Sequence, residues 1–174
     1  MKTISFLRHY THTLLPLILG SIMLVCGGCY SFTGGSVPPH LKTISITTAV
    51  DNSNFGSPQY RELFTRQLVD KFRSDNTLSL VERDGDARII PVITTIREEA
   101  VIVRAGDIER ERKLTVSVEA EYFDAVKKKQ IFKRTFSNVE NYAVANAASE
   151  RDRVIRLLLQ RNTDDILLAV ISGW

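Results

Sequence analysis

Histidine and cysteine are nearly missing from this chain. Its 174 residues include three histidines and two cysteines. His9 and His12 fall in the first stretch, which leaves His40 and at most Cys29 for a folded body. Zinc sites draw their ligands largely from these two residue types, so most metal chemistry is excluded. Most imidazole-based acid–base catalysis goes with it. A glycine-rich phosphate cradle is missing as well, because Gly34-Gly35 is not followed by Lys-Ser/Thr. Charge of one sign is not in excess: Lys+Arg number 23 against 20 Asp+Glu, a formal +3. Residues 1–28 hold Lys2 and Arg8 and no acid, so the remainder is closer still to neutral. Nucleic acid is therefore not an expected partner. Long apolar runs are lacking too. The longest, Leu14 to Val25, has 12 residues and contains Pro16 and Gly20, whereas a spanning helix needs about 20. What is present, 44% apolar and 25% charged, is an ordinary globular composition, sized for one domain.

The first thirty residues read as an export signal. A polar start with Lys2 and Arg8 is followed by the apolar run and then by Gly27, Gly28 and Cys29, the order of regions in a secretory signal peptide. Its end resembles a bacterial lipobox, which wants a small residue directly before the cysteine that is acylated. Cys29 follows Gly28 and fits, whereas Cys26 follows the β-branched Val25. Three positions before Cys29 the pattern prefers Leu and this chain has Cys26. The expectation is a signal peptide over 1–28 and acylation at Cys29. Two or three acyl chains hold a protein durably on a bilayer, and an acylated thiol is no nucleophile, metal ligand or disulfide partner. Tyr30 stands where an Asp would retain a lipoprotein at the inner membrane, so the outer membrane, on its periplasmic side, is the expected place.

Residues 30–40, YSFTGGSVPPH, are rich in glycine, proline and small polar residues, an extended tether. The body is expected over 41–174. Lys42 to Thr48 is β-branched and predicts a strand. Ser57-Pro58 suits a helix start, and Tyr60, Leu63, Phe64, Leu68 and Phe72 then form one helical stripe. Leu78 to Glu82 meets Asp84-Gly85, a hairpin signal, with a return strand from Ala87 to about Ile96. Pro91 inside that strand predicts an edge or a bulge. Glu98 to Arg112 is charged and turn-like around Gly106-Asp107. Leu114, Val116, Val118, Ala120 and Tyr122 alternate with Thr115, Ser117, Glu119 and Glu121, a strand with one wet face. Asp124 to Lys129 turns into a partner strand, Ile131 to Asn138. Ser149 opens a last helix with Ile155, Leu158, Leu159, Ile166, Ala169 and Val170 on one face, and Gly173 is placed to stop it. This order predicts an α+β two-layer sandwich: about four to five mostly antiparallel strands with two helices packed on one face.

Chemistry-bearing constellations are few. His40 has no other histidine or free cysteine beside it and reads as a solvated loop residue, so neither a metal nor another cofactor is expected. Glu119 and Glu121 share a strand face about 7 Å apart, and on that exposed flank they read as the wet side of the strand. No enzyme is indicated. Lys127, Lys128 and Lys129, followed by Lys133 and Arg134, concentrate charge at a hairpin tip, and Arg104, Arg110, Arg112 and Lys113 form a second group. Lysine at a turn protects sheet edges and aids solubility; alternatively it pairs phosphates by charge-assisted hydrogen bonds. At an outer membrane that phosphate belongs to lipopolysaccharide.

Several stretches in order carry a resemblance. These are Cys29-Tyr30-Ser31-Phe32-Thr33-Gly34-Gly35-Ser36, Lys42-Thr43-Ile44-Ser45-Ile46, and Leu63-Phe64-Thr65 with Leu68 and Phe72. Leu114-Thr115-Val116-Ser117-Val118 follows, then Tyr122-Phe123-Asp124, and at the end Asp164-Asp165-Ile166, Val170 and Trp174. Over residues 29–174 the chain resembles the LptE family of lipopolysaccharide-assembly lipoproteins. The resemblance implies a non-catalytic two-layer sandwich, anchored by acyl chains such as palmitate. It further implies a plug for the lumen of an LptD-type outer-membrane barrel, aiding barrel assembly and lipopolysaccharide delivery to the outer leaflet. A plug needs surface complementary to a polar barrel interior, so Thr115, Ser117, Glu119 and Glu121 are the expected barrel contacts. Lys127, Lys128, Lys129, Lys133 and Arg134 are the expected lipopolysaccharide contacts. The rival reading is a lipoprotein that activates or scaffolds a periplasmic cell-wall enzyme. Residues 30–40 reach only about 36 Å when extended, which favours a partner within the membrane.

Overall fold

The structure is a computed structural model that describes residues 37–55, 57–101 and 111–172. Signal-peptide residues, Cys29, the Gly34-Gly35 segment, the turn at Gly106-Asp107 and the stop at Gly173 lie outside the described residues. The element order is β1 (Thr43–Ile46), β2 (Val50–Asp51), α1 (Gln59–Asp75), β3 (Ser79–Leu80), β4 (Ala87–Val101), β5 (Glu111–Asp124), β6 (Lys129–Ala143) and α2 (Ala147–Ser172). The six strands form one sheet in the order β3-β1-β4-β5-β6, with β2 also on β4. Both helices bury their apolar stripes against one face, so the two-layer α+β sandwich is realised.

The sheet is mixed. β4, β5 and β6 form an antiparallel meander, as their period-two patterns predict. β1 runs parallel to both β3 and β4, and this overturns the expected hairpin at Asp84-Gly85. β1 is inserted between the two strands that the hairpin would have paired. Gly85 is needed for a different reason: a Cβ there would lie 2.6 Å from the Ser45 nitrogen and 2.8 Å from the Ala87 carbonyl oxygen. The loop passes against β1 at a distance that only glycine permits.

Pro91 is neither at an edge nor in a bulge. It sits in β4 opposite Ala120, and the register irregularity falls later, between Ile93 and Thr95. Ile89 and Ile93, two residues to either side, turn their carbonyls to Thr47 and Asn52. Pro91 has the same parity, so its nitrogen faces the gap between β1 and β2, where no ladder donor is required. The charged segment also differs from expectation. Glu98 to Val101 and Glu111 to Arg112 continue β4 and β5, in register with each other.

The core is one cluster. Phe64, Leu68, Ile44, Ile89, Ile93, Val116, Val118, Ile155, Leu158, Leu159 and Ile166 are fully buried in it. α1 begins with Pro58 as N-cap, not Ser57, and ends at Asn76, whose left-handed φ of 57° lets its N–H reach the Phe72 carbonyl. α2 begins two residues earlier than Ser149. One buried polar side chain fixes α2 on the sheet: Asn162 donates to the Val116 carbonyl oxygen at 3.2 Å and accepts from Asn138 at 3.0 Å. Tyr60 donates to Asp152 at 3.1 Å and ties α1 to α2. Burial first, and then this bond, push the Tyr60 hydroxyl up.

Candidate functional site

The sheet face opposite the helices is bare among the described residues. Thr115, Ser117, Glu119 and Glu121 all lie on it, half-buried between neighbouring strands. Register adds Ile90, Val92, Thr95 and Arg97 from β4 and Lys133, Thr135, Ser137 and Val139 from β6. Ser117 and Ser137 share a hydrogen bond of 2.9 Å between their hydroxyls. Glu119 takes Lys133 at 3.0 Å, and this bond raises the lysine's pKa. Val139 is 47% exposed and Val50, beside Val92, is 48% exposed. The face is thus a mixture of hydroxyls, paired charges and open valines, suited to a polar partner with apolar spots.

The five basic residues of the β5–β6 tip do not lie together on one face. Lys133 is engaged by Glu119 on the bare face. Arg134 projects to the other side, its guanidinium carbon 5.3 Å from the centre of the Phe132 ring, which itself packs on Tyr122 at 5.4 Å. Lys127, Lys128 and Lys129 alone remain together, all exposed around the turn, with Lys128 at a left-handed φ of 53°. The second group divides too. Arg112 pairs with Glu98 at 3.1 Å and Lys113 with Glu99 at 3.0 Å, while Arg104 and Arg110 lie outside the described residues. Arg151 of α2 also reaches Glu98, at 3.1 Å, which pins the helix start to the far end of the meander.

His40 is not a solvated loop residue. Its Nε2 lies 2.6 Å from Oδ2 of Asp124, an aspartate that is 4% exposed and also accepts the Lys127 amide at 2.8 Å. Burial pushes the Asp124 carboxyl up, but the Lys127 amide and His40 outweigh it and the net shift is downward. The residues just before β1 are packed down as well. Val37 rests on the core and the Leu41 amide donates to the Pro38 carbonyl. Pro38, His40, Asp124, Lys127, Lys129, Gln130 and Ile131 line a cavity of about 260 Å³. Sequence reasoning missed this pairing, because nothing local to His40 or Asp124 signals a partner so far along the chain.

No group of three His, Cys, Asp or Glu side chains among the described residues is arranged to hold a metal ion. No described helix is long and apolar enough to cross a membrane.

A mixed sheet with two helices on one face and an open polar face defines a class, the small two-layer α+β sandwich. Solved structures share it. Lipoprotein B from Nitrosomonas europaea superposes with a TM-score of 0.53 at 15% identity, over 80-odd per cent of this chain (83%) and 90% of its own. Rare lipoprotein B from Shewanella oneidensis gives 0.51 at 14% identity, over 72% and 92%. The PelC dodecamer from Paraburkholderia phytofirmans gives 0.51 at 10% identity, over 80% and 94%. At these identities the likeness is one of fold. No curated protein matches in sequence. The family model for LptE, lipopolysaccharide-assembly, matches residues 41–170, and the chain belongs to that family.

Proposed function

We propose that this member of the lipopolysaccharide-assembly family is an outer-membrane lipoprotein without turnover of its own. Residues 1–28 are removed as a signal peptide, Cys29 carries the acyl chains, and the body, 41–174 with residues 37–40 packed on it, stands on the periplasmic side. It occupies the lumen of an LptD-type barrel, aids that barrel's assembly and takes part in lipopolysaccharide export. The bare sheet face carries the reading. Thr115, Ser117, Glu119 and Glu121 lie together on it, and its mixture of hydroxyls, satisfied charges and exposed valines suits the polar wall of a barrel lumen. The phosphate-contacting group narrows to Lys127, Lys128 and Lys129, since Lys133 already has Glu119 as its partner and Arg134 turns away.

Co-purification from detergent-solubilised outer membranes tests the proposal. Recovery with a large β-barrel is expected. Recovery with a periplasmic cell-wall enzyme and no barrel overturns it in favour of the scaffold reading.

A further inference from the structure

The turn that holds Lys127, Lys128 and Lys129 is also the place from which the chain leaves the body toward Cys29. His40 is bound to Asp124, the last residue of β5, and Pro38 lines the same cavity as Lys127 and Lys129. From there, residues 30–36 extend at most about 25 Å. Lysines held this close to an acylated amino end lie within reach of the leaflet that takes the acyl chains. Their neighbours fit such a surface. Val126 is 57% exposed and Ile131 is 41% exposed, so open apolar side chains flank the three lysines, the pattern of a segment that lies in a headgroup layer. The acids nearest the turn are occupied internally: Asp124 by His40 and the Lys127 amide, Asp86 by the amides of Lys42 and Thr43. Glu82 and Asp84, in the loop that the Ala125–Asp86 hydrogen bond brings alongside, offset part of the lysine charge. The apolar pair must therefore contribute.

We propose that the turn Ala125–Lys129, with Ile131, docks on the anionic phospholipid headgroups of the leaflet that carries the acyl chains. The His40–Asp124 pair holds it at the anchored end. This commits the phosphate to the near membrane surface rather than to the exported lipid, and it rests on acylation at Cys29. Lysines near an anionic surface each add attraction that decays within a Debye length, so docking is sensitive to salt.

The test uses the processed, acylated protein with a fluorophore on Val126→Cys. Cys26 leaves with the leader and Cys29 is acylated, so this is the one free thiol of the mature chain. A control carries the label on Asn141→Cys, about 40 Å along β6. Both are inserted into phosphatidylcholine vesicles containing a nitroxide headgroup lipid, alone, with phosphatidylglycerol, or with lipopolysaccharide. Expected is quenching at position 126 and not at 141 in the phosphatidylglycerol vesicles. High salt should reverse it, and Lys127→Glu with Lys128→Glu should lower the docked fraction at least about fivefold. No quenching at 126 in any vesicle, equal quenching in neutral and anionic vesicles, or quenching with lipopolysaccharide alone each overturns the proposal. Failure of the protein to float with vesicles at all instead removes the acylation reading beneath it.

Discussion

His40 and Asp124 stand 84 residues apart in the chain and 2.6 Å apart in space. The contact joins the segment before β1 to the end of β5, so residues 37–40 belong to the body's surface and not to the free tether. A carboxylate with so little exposure is tolerated because its oxygens are taken by the Lys127 amide and the His40 ring.

Acid should therefore loosen this end of the body. The Asp86 carboxyl is lowered by the Lys42 and Thr43 amides. At Asp124, burial acts upward and is outweighed by the Lys127 amide and His40. A carboxyl whose folded pKa is depressed contributes stability that is full above its unfolded pKa and disappears as pH falls through the folded value. The melting temperature is expected to hold from neutral pH to about pH 5 and to fall below about pH 4. Asp86→Asn should flatten that acid limb. An identical limb in the variant would contradict the assignment.

Gly85→Ala should be among the most damaging small substitutions. Its Cβ would meet backbone atoms of Ser45, Ala87 and Ile44 within 2.9 Å, and backbone cannot step aside as a side-chain tip can. A loss of at least about 2 kcal/mol is expected from denaturant titration.

Asn162→Ala should cost about 1–3 kcal/mol, because it strips the Asn138 amide of one partner and removes a bond to the Val116 carbonyl inside the core. Hydrogen exchange should show the loss along α2 and β5. Protection unchanged on both elements would deny Asn162 that role.

Ser117→Arg combined with Ser137→Arg places two bulky charges in the middle of the bare face, where the wild-type hydroxyls meet at 2.9 Å. The body should still fold, since neither side chain enters the core, while recovery of the barrel on purification drops about tenfold or more. Undiminished recovery would move the barrel contact elsewhere on the surface.

Periodicity made much of the fold legible. Strict alternation from Leu114 to Tyr122 placed one face of β5 in the core, and the four-residue steps of Tyr60, Phe64, Leu68 and Phe72 gave α1 its buried stripe. Asp84-Gly85 misled because a turn signal is local, whereas the choice between a hairpin and a parallel insertion depends on where β1 packs. Pro91 misled for a related reason. A missing donor matters only if a neighbouring strand asks for it, and the break between β1 and β2 lies outside any window around Pro91. The basic tip was legible as charge but not as geometry: alternation along β6 sends Lys133 and Arg134 to opposite faces.

The sequence by itself determined the kinds of element, the side of each that is buried, the scarcity of chemistry-bearing residues and the family resemblance, since all of these reside in residue type and short-range spacing. Tertiary structure alone decided strand order, the service each special residue performs, and the meeting of His40 with Asp124 beside Lys127. Those depend on contacts between distant segments, and their energies arise only when the assembled sheet brings the segments together.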